Sequence, residues 1–174
     1  NAYDSDRMKD LFLDKGYEIT DDLAKANLTI LNTCHIREKA SEKFYSDLGR
    51  LSVFKKNKEK LGEKMQIVVM GCVAQAEGQE VIKRNTLVDY VVGPQNIQSI
   101  PRLLKTKSLE KVHTNFLYKQ KFSSFPKSYL EGASRQITIQ EGCDKFCSFC
   151  VVPYTRGNEY SRSVEEIYAE AKNL

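Results

Sequence analysis

The stretch QITIQEGCDKFCSFCVVPYTRG, residues 136–157, places Cys143, Cys147 and Cys150 within eight residues at C-x3-C-x2-C spacing. Steps of four and three also mark one face of a helix. Against that, Gly142 and Pro153 bracket the segment, and three core cysteines on so short a stripe would be unusual. Zinc takes four ligands, commonly in C-x2-C pairs or with nearby histidines, and the only histidines, His35 and His113, are distant in sequence. An electron-transfer ferredoxin loop needs four cysteines. What remains is a [4Fe–4S] cluster held by three thiolates, one iron being left without a protein ligand. An open coordination position is what a catalytic metal site keeps. The absent fourth cysteine is therefore the functional feature.

Two more cysteines share an address with the first of these. ILNTC puts Cys34 just past an apolar run, VVMGC does so for Cys72, and ITIQEGC for Cys143. In open α/β sheets, ligands bind in the crevice beyond the strand C-termini. A thiol at a helix N-terminus also has its anion favoured by the helix dipole, which suits it to metal. Taken singly, Cys34 and Cys72 read equally well as small buried core residues. Together, on two strand-to-helix turns that can be neighbours, they look like two ligands of one site. A third is expected from residues upstream of Asn1.

The elements that must position these thiols alternate along residues 1–113. LTILN (28–32), QIVVM (66–70) and DYVVG (89–93) are short, apolar and β-branched, as strands of a buried parallel sheet are. Met8, Leu11 and Phe12 mark a helix behind an Asp4-Ser5-Asp6 cap, with Gly16 as its stop. Ile36, Ala40, Phe44 and Leu48 mark a second, Val73, Ala76, Val81 and Ile82 a third, and Ile97, Ile100 and Leu104 a fourth. This predicts a parallel, doubly wound α/β unit. Residues 114–134 break the pattern and read as a linker. QITIQ then predicts a strand, followed after the cysteine loop by a helix from Ser163 with Val164, Ile167, Tyr168 and Ala171 on one face. A helix at Asn1 with no strand before it, and another still running at Leu174, predict a piece of a longer polypeptide.

With 174 residues and 41% hydrophobic content, a packed core is within reach. No apolar run is long enough to span a membrane and no secretory leader is visible, so a cytoplasmic protein with reduced thiols is expected. The net charge of +4 is uneven: residues 102–127 hold Arg102, Lys105, Lys107, Lys111, Lys119, Lys121 and Lys127 against one acid, Glu110. A second cluster is Lys55, Lys56, Lys58, Lys60 and Lys64. From charge alone, a solvated linker and a solvated helix end are favoured over a phosphate-facing surface.

The three-cysteine pattern after a strand, with Phe149 just before the last cysteine, resembles that of the radical S-adenosylmethionine enzymes. EGCDKFCSFCVVPYTRGNEYSR, LNTCHIREKASEKFYSDLGRL and GCVAQAEG together resemble the methylthiotransferases, and VVPYTRG resembles the MiaB-type branch that acts on isopentenyladenosine in tRNA. The resemblance implies a flavodoxin-like N-terminal methylthiotransferase domain (1–113, first strand missing), a linker (114–134) and the start of a truncated radical SAM barrel (135–174). It implies two [4Fe–4S] clusters and S-adenosyl-L-methionine as cofactors. Cys143, Cys147 and Cys150 would hold the radical SAM cluster, and Cys34 and Cys72 two of three ligands of the other. Phe149 would back the cofactor adenine or serve in packing, while Arg156 and Arg162 would meet phosphate or cap the loop. The implied reaction is cleavage of S-adenosylmethionine, hydrogen abstraction at adenine C2, sulfur insertion and methyl transfer. Implied partners are tRNA, a flavodoxin- or ferredoxin-type electron donor and a sulfur source. The fragment alone is expected to be inactive. Alternatives are a methylthiotransferase for threonylcarbamoyl-adenosine or a ribosomal-protein aspartate, and a non-enzymatic metal-binding module.

Overall fold

The computed structural model describes residues 2–35, 38–116, 120–129, 132 and 134–174. Ile36 and Lys119, named above, lie outside the described residues. The chain begins in α1 (Ala2–Asp14) and continues through β1 (Leu28–Thr33), α2 (Glu38–Lys60), β2 (Gln66–Gly71), α3 (Cys72–Glu77) and α4 (Gln79–Arg84). There follow β3 (Tyr90–Val92), a 3-10 turn (Ile97–Ser99), α5 (Ile100–Thr106) and β4 (Val112–His113). The expected third helix is thus two short ones, broken at Gly78.

The four strands form one parallel sheet in the order β1-β2-β3-β4. β2 is apolar on both faces because both are covered. Val68 and Met70 join Met8, Leu11 and Phe12 of α1 with Ile100, Leu103 and Leu104 of α5. Ile67 and Val69 join Phe44, Leu48 and Leu51 of α2 with Val73, Ala74 and Val81. This is the layered parallel α/β architecture expected of a flavodoxin-like unit.

One helix departs from expectation. α1 starts at Ala2, so Asp4 lies inside its first turn rather than capping it, and Asp4, Arg7 and Asp10 are all buried. At steps of three they form a second stripe beside the apolar one. That polar stripe faces a strap made of α6 (Gln120–Ser123) and residues 124–129. Arg7 donates to the Pro126 carbonyl, and Asp10 accepts from the Tyr129 amide at 2.7 Å and the Ser128 hydroxyl at 3.2 Å. Phe125 lies edge-on to Tyr3 and under the Arg7 guanidinium.

The last segment holds β5 (Gln140–Glu141), α7 (Val152–Arg156), β6 (Tyr160–Ser161) and α8 (Val164–Asn173). The strand expected over 136–140 is paired only at its end, and antiparallel, with β6. A strand exists only where a neighbour supplies hydrogen bonds, and Tyr160–Ser161 is the partner at hand. Among the described residues this segment contains no parallel strand pair, so no barrel is evident in it. Ser163 caps α8 by accepting from the Glu166 amide at 3.2 Å. Its expected apolar face is not covered, since Val164 and Tyr168 are largely exposed. α8 makes polar contacts through Glu170, which meets Tyr3 at 3.0 Å and Arg162 at 2.5 Å.

Candidate metal centre

Cys34 and Cys72 follow neighbouring strands. β1 and β2 run in register to the pair Thr33↔Gly71, so each cysteine is the next residue past a paired position. Adjacent parallel strands lie about 4.8 Å apart, and the two cysteines therefore start neighbouring strand-to-helix turns at the sheet's C-terminal edge. Gly71 makes the turn possible. Its φ is 93°, and a Cβ there would stand 2.5 Å from Asn32 Oδ1 and 3.0 Å from the Thr33 carbonyl. Asn32 is itself tied to α1, donating to Ser5 Oγ at 2.8 Å. Cys72 is buried at the first residue of α3, and Cys34 is half-buried.

Cys143, Cys147 and Cys150 occupy one loop between β5 and α7. Gly142 takes φ 78°, and a side chain there would overlap the Asn158 carbonyl. The Cys143 amide donates to the Gly157 carbonyl at 3.1 Å, and a turn joins the Cys150 amide to the Cys147 carbonyl at 2.9 Å. All three are free thiols, with Cys147 exposed and the others half-buried. Phe149 is 91% exposed, its ring open to a flat ligand rather than packed in a core. Among the described residues no three His, Cys, Asp or Glu side chains converge as metal ligands. The loop supplies the right donors for an iron–sulfur cluster, which is held by thiolates, without pre-forming the cage.

A buried charge cluster adjoins Cys72. Lys121 Nζ lies 2.7 Å from Asp4 and 2.8 Å from Glu141, and only 2% of its side chain is exposed. Arg156 NH1 lies 2.8 Å from Asp4 Oδ2 and also pairs with Glu141. The Nε of the same guanidinium donates to Cys72 Sγ at 3.2 Å. The Arg156 carbonyl accepts from Gln95 Nε2 at 2.8 Å. Burial opposes the Arg156 charge, but the fields of Asp4, Cys72 and Glu141 outweigh it, and its pKa is raised. For Asp4, burial works toward the neutral acid and is overcome by Lys121 and Arg156, which hold the carboxyl below its ordinary value. α7 packs directly on α3.

Several expected roles change with this geometry. Lys121 is no linker cation open to phosphate, because it neutralises two buried carboxylates. Lys55 and Lys58 are equally committed. Lys55 donates to the Leu87 carbonyl at 2.9 Å and to Asp89 at 2.6 Å, and Lys58 to the Ala26 carbonyl at 3.0 Å. Neither Arg156 nor Arg162 faces outward: Arg162 binds the Thr138 carbonyl at 2.9 Å as well as Glu170. Lys105, Lys107, Lys111 and Lys127 remain exposed. Asp4, Glu141 and Gln95 join the site without any signal in the sequence. Their partners lie tens to over a hundred residues away, and no local pattern announces such a pairing.

No helix among the described residues is long and apolar enough to cross a membrane. The chain is 53% identical over 180 residues to a tRNA-2-methylthio-N(6)-dimethylallyladenosine synthase of Wolbachia pipientis subsp. Culex pipiens (strain wPip), covering 100% of the chain and 40% of that relative. Proteins of the same name from Rickettsia prowazekii (strain Madrid E) and Rickettsia bellii (strain RML369-C) are 51% and 50% identical over 98% and 100% of the chain, again across 40% of their length. These names agree with the methylthiotransferase resemblance read from the three sequence blocks. Residues 1–93 match the model of the family described as Uncharacterized protein family UPF0004, and the chain belongs to that family.

Proposed function

We propose that the chain is the cysteine-bearing part of a cytoplasmic tRNA methylthiotransferase of its relatives' length. It would act at C2 of N6-isopentenyladenosine beside the anticodon, with two [4Fe–4S] clusters and S-adenosyl-L-methionine. The observation that carries the reading is the placement of the thiols. Cys34 and Cys72 leave one sheet edge together, and α7, which follows the Cys143–Cys150 loop, packs on α3, which begins at Cys72.

Adenine C2–H is too weak an acid for general-base catalysis; a bound cluster with S-adenosylmethionine supplies one-electron chemistry instead. Cys143, Cys147 and Cys150 would hold the cluster that binds this cofactor, and Cys34 and Cys72 would hold part of the second. Phe149 offers its exposed ring to the cofactor adenine. Exposed Lys105, Lys107 and Lys127 are among the cations available to meet tRNA phosphates. An external electron donor and a sulfur source complete the reaction. The relatives' names favour prenylated adenosine over threonylcarbamoyl-adenosine or a protein aspartate as substrate.

The test uses the whole protein, reconstituted without oxygen. Cys147→Ala should abolish S-adenosylmethionine cleavage and tRNA thiomethylation together, while iron falls by about half because a second cluster remains. Cys34→Ala should stop sulfur insertion yet leave some reductive cleavage. Normal formation of 5′-deoxyadenosine by Cys147→Ala overturns the proposal.

A further inference from the structure

We infer that Arg156 is a positioning residue that ties the Cys72 ligand site to the Cys143–Cys150 loop and tunes the metal held at Cys72. The inference rests on the function proposed above. Arg156 ends α7, the helix that begins two residues after Cys150, so its backbone belongs to the three-cysteine segment. Its side chain belongs to the other site, with Nε on Cys72 Sγ at 3.2 Å. The guanidinium is locked from both sides, by Asp4 of α1 and by Glu141 of β5. The Gln95 amide fixes its carbonyl.

Only an arginine meets this set of acceptors. Its planar fork presents several N–H groups in fixed directions, so one terminal nitrogen serves the carboxylates while Nε points to sulfur. A lysine at 156 brings one point charge on a flexible stem and can satisfy the carboxylates without holding the thiolate. Lys121 is the natural contrast. It serves the same two carboxylates, and among the described residues its bonds do not include one to Cys72. Hydrogen bonds to a ligating sulfur raise the reduction potential of an iron–sulfur cluster, and outer partners of metal ligands steady the metal.

The experiment uses the whole protein with Cys143, Cys147 and Cys150 replaced by Ala, so that iron at the Cys34/Cys72 site is read alone. Iron release to a chelator and the midpoint of the reduced-cluster EPR signal are measured for this parent, Arg156→Lys and Lys121→Met. In Arg156→Lys, release should quicken about 10- to 100-fold, the usual cost of losing an outer partner, and the midpoint should move to more negative potential. Lys121→Met should lower thermal stability and move release and midpoint less than Arg156→Lys does, since among the described residues its bonds do not include one to Cys72. The inference alone falls if Arg156→Lys matches the parent. It also falls if Lys121→Met moves both readouts equally, since the effect would then be general loosening. A parent with no iron at the Cys34/Cys72 site overturns the proposed function, and this inference with it.

Discussion

Lys121→Met tests the buried charge cluster most directly. The ammonium lies 2.7 Å from Asp4 and 2.8 Å from Glu141, with 2% of the side chain exposed. Methionine replaces the methylene stem with a flexible chain of similar bulk, so little cavity is left and the loss is electrostatic. Removing one partner of a buried ion pair costs about 3–5 kcal/mol. Arg156 still touches both carboxylates, which leaves one negative charge uncompensated rather than two. The expected loss is therefore about 3 kcal/mol, the low end of that range. With a urea dependence of about 2 kcal/mol per molar, the midpoint should fall by about 1.5 M at unchanged slope. The deficit should narrow as pH falls and Asp4, whose carboxyl is held below its ordinary value by Lys121 and Arg156, takes up a proton. It should change little between 0.05 and 0.5 M salt, taken as roughly the range over which exposed pairs are screened. A loss below about 1 kcal/mol, the value of an exposed pair, or one abolished by salt, would refute the burial of Lys121.

Asp4→Asn follows from the same cluster with the sign of a depressed carboxyl. The folded pKa of Asp4 lies below its ordinary value of 3.8, so its stabilisation is present above that pH and is lost as pH falls through the folded value. Denaturation curves from neutral pH into this acid range should show wild type and Asp4→Asn separated at neutral pH and converging in acid. Gly71→Ala should cost about 2 kcal/mol or more, because φ of 93° and the close approach of Asn32 both oppose a side chain; calorimetry on the chain checks this. Lys127→Ala should reduce the salt slope of tRNA binding by the whole protein by about 0.7–0.9 for each phosphate no longer neutralised. Lys121→Ala should leave that slope alone, and equal effects from the two would contradict the burial difference between them.

The sheet is legible because its strands obey a rule that acts locally. LTILN, QIVVM and DYVVG are short, apolar and β-branched, as buried parallel strands are; β2 and β3 are buried while β1 at the edge is half-buried. Once the strands are parallel, the residues that follow them must leave at one edge, but that Cys34 and Cys72 are neighbours there rests on the pairing of β1 with β2, which only the structure gives. α1 is half legible. Met8, Leu11 and Phe12 mark the sheet-facing stripe, while Asp4, Arg7 and Asp10 look like the solvated side of any surface helix. What buries them is Lys121, Tyr129 and Arg156, more than a hundred residues on. Lys121 misleads for the same reason, since a fully buried lysine is rare and nothing beside it in sequence marks the exception. QITIQ has the alternation of a strand, yet alternation supplies no hydrogen-bond partner, and only Gln140–Glu141 has one.

The two-sided burial of α1 has a consequence for how the chain is made. Its apolar face is satisfied by β2, β3 and α5, all within the first 106 residues. Its polar face waits for Tyr129, Arg156 and Glu170, separated in sequence from their partners by 119, 152 and 167 positions. At a synthesis rate of about 5–20 residues per second, the nascent sheet stands with that face uncovered for several seconds. During this interval Asp4 and Asp10 keep the face hydrated and repel other nascent copies, so it is no adhesive surface. Closing such long loops is an entropic cost that grows only slowly with length, but it falls late. The strap and the three-cysteine segment should therefore dock last on a preformed sheet, and open first when the protein is stressed.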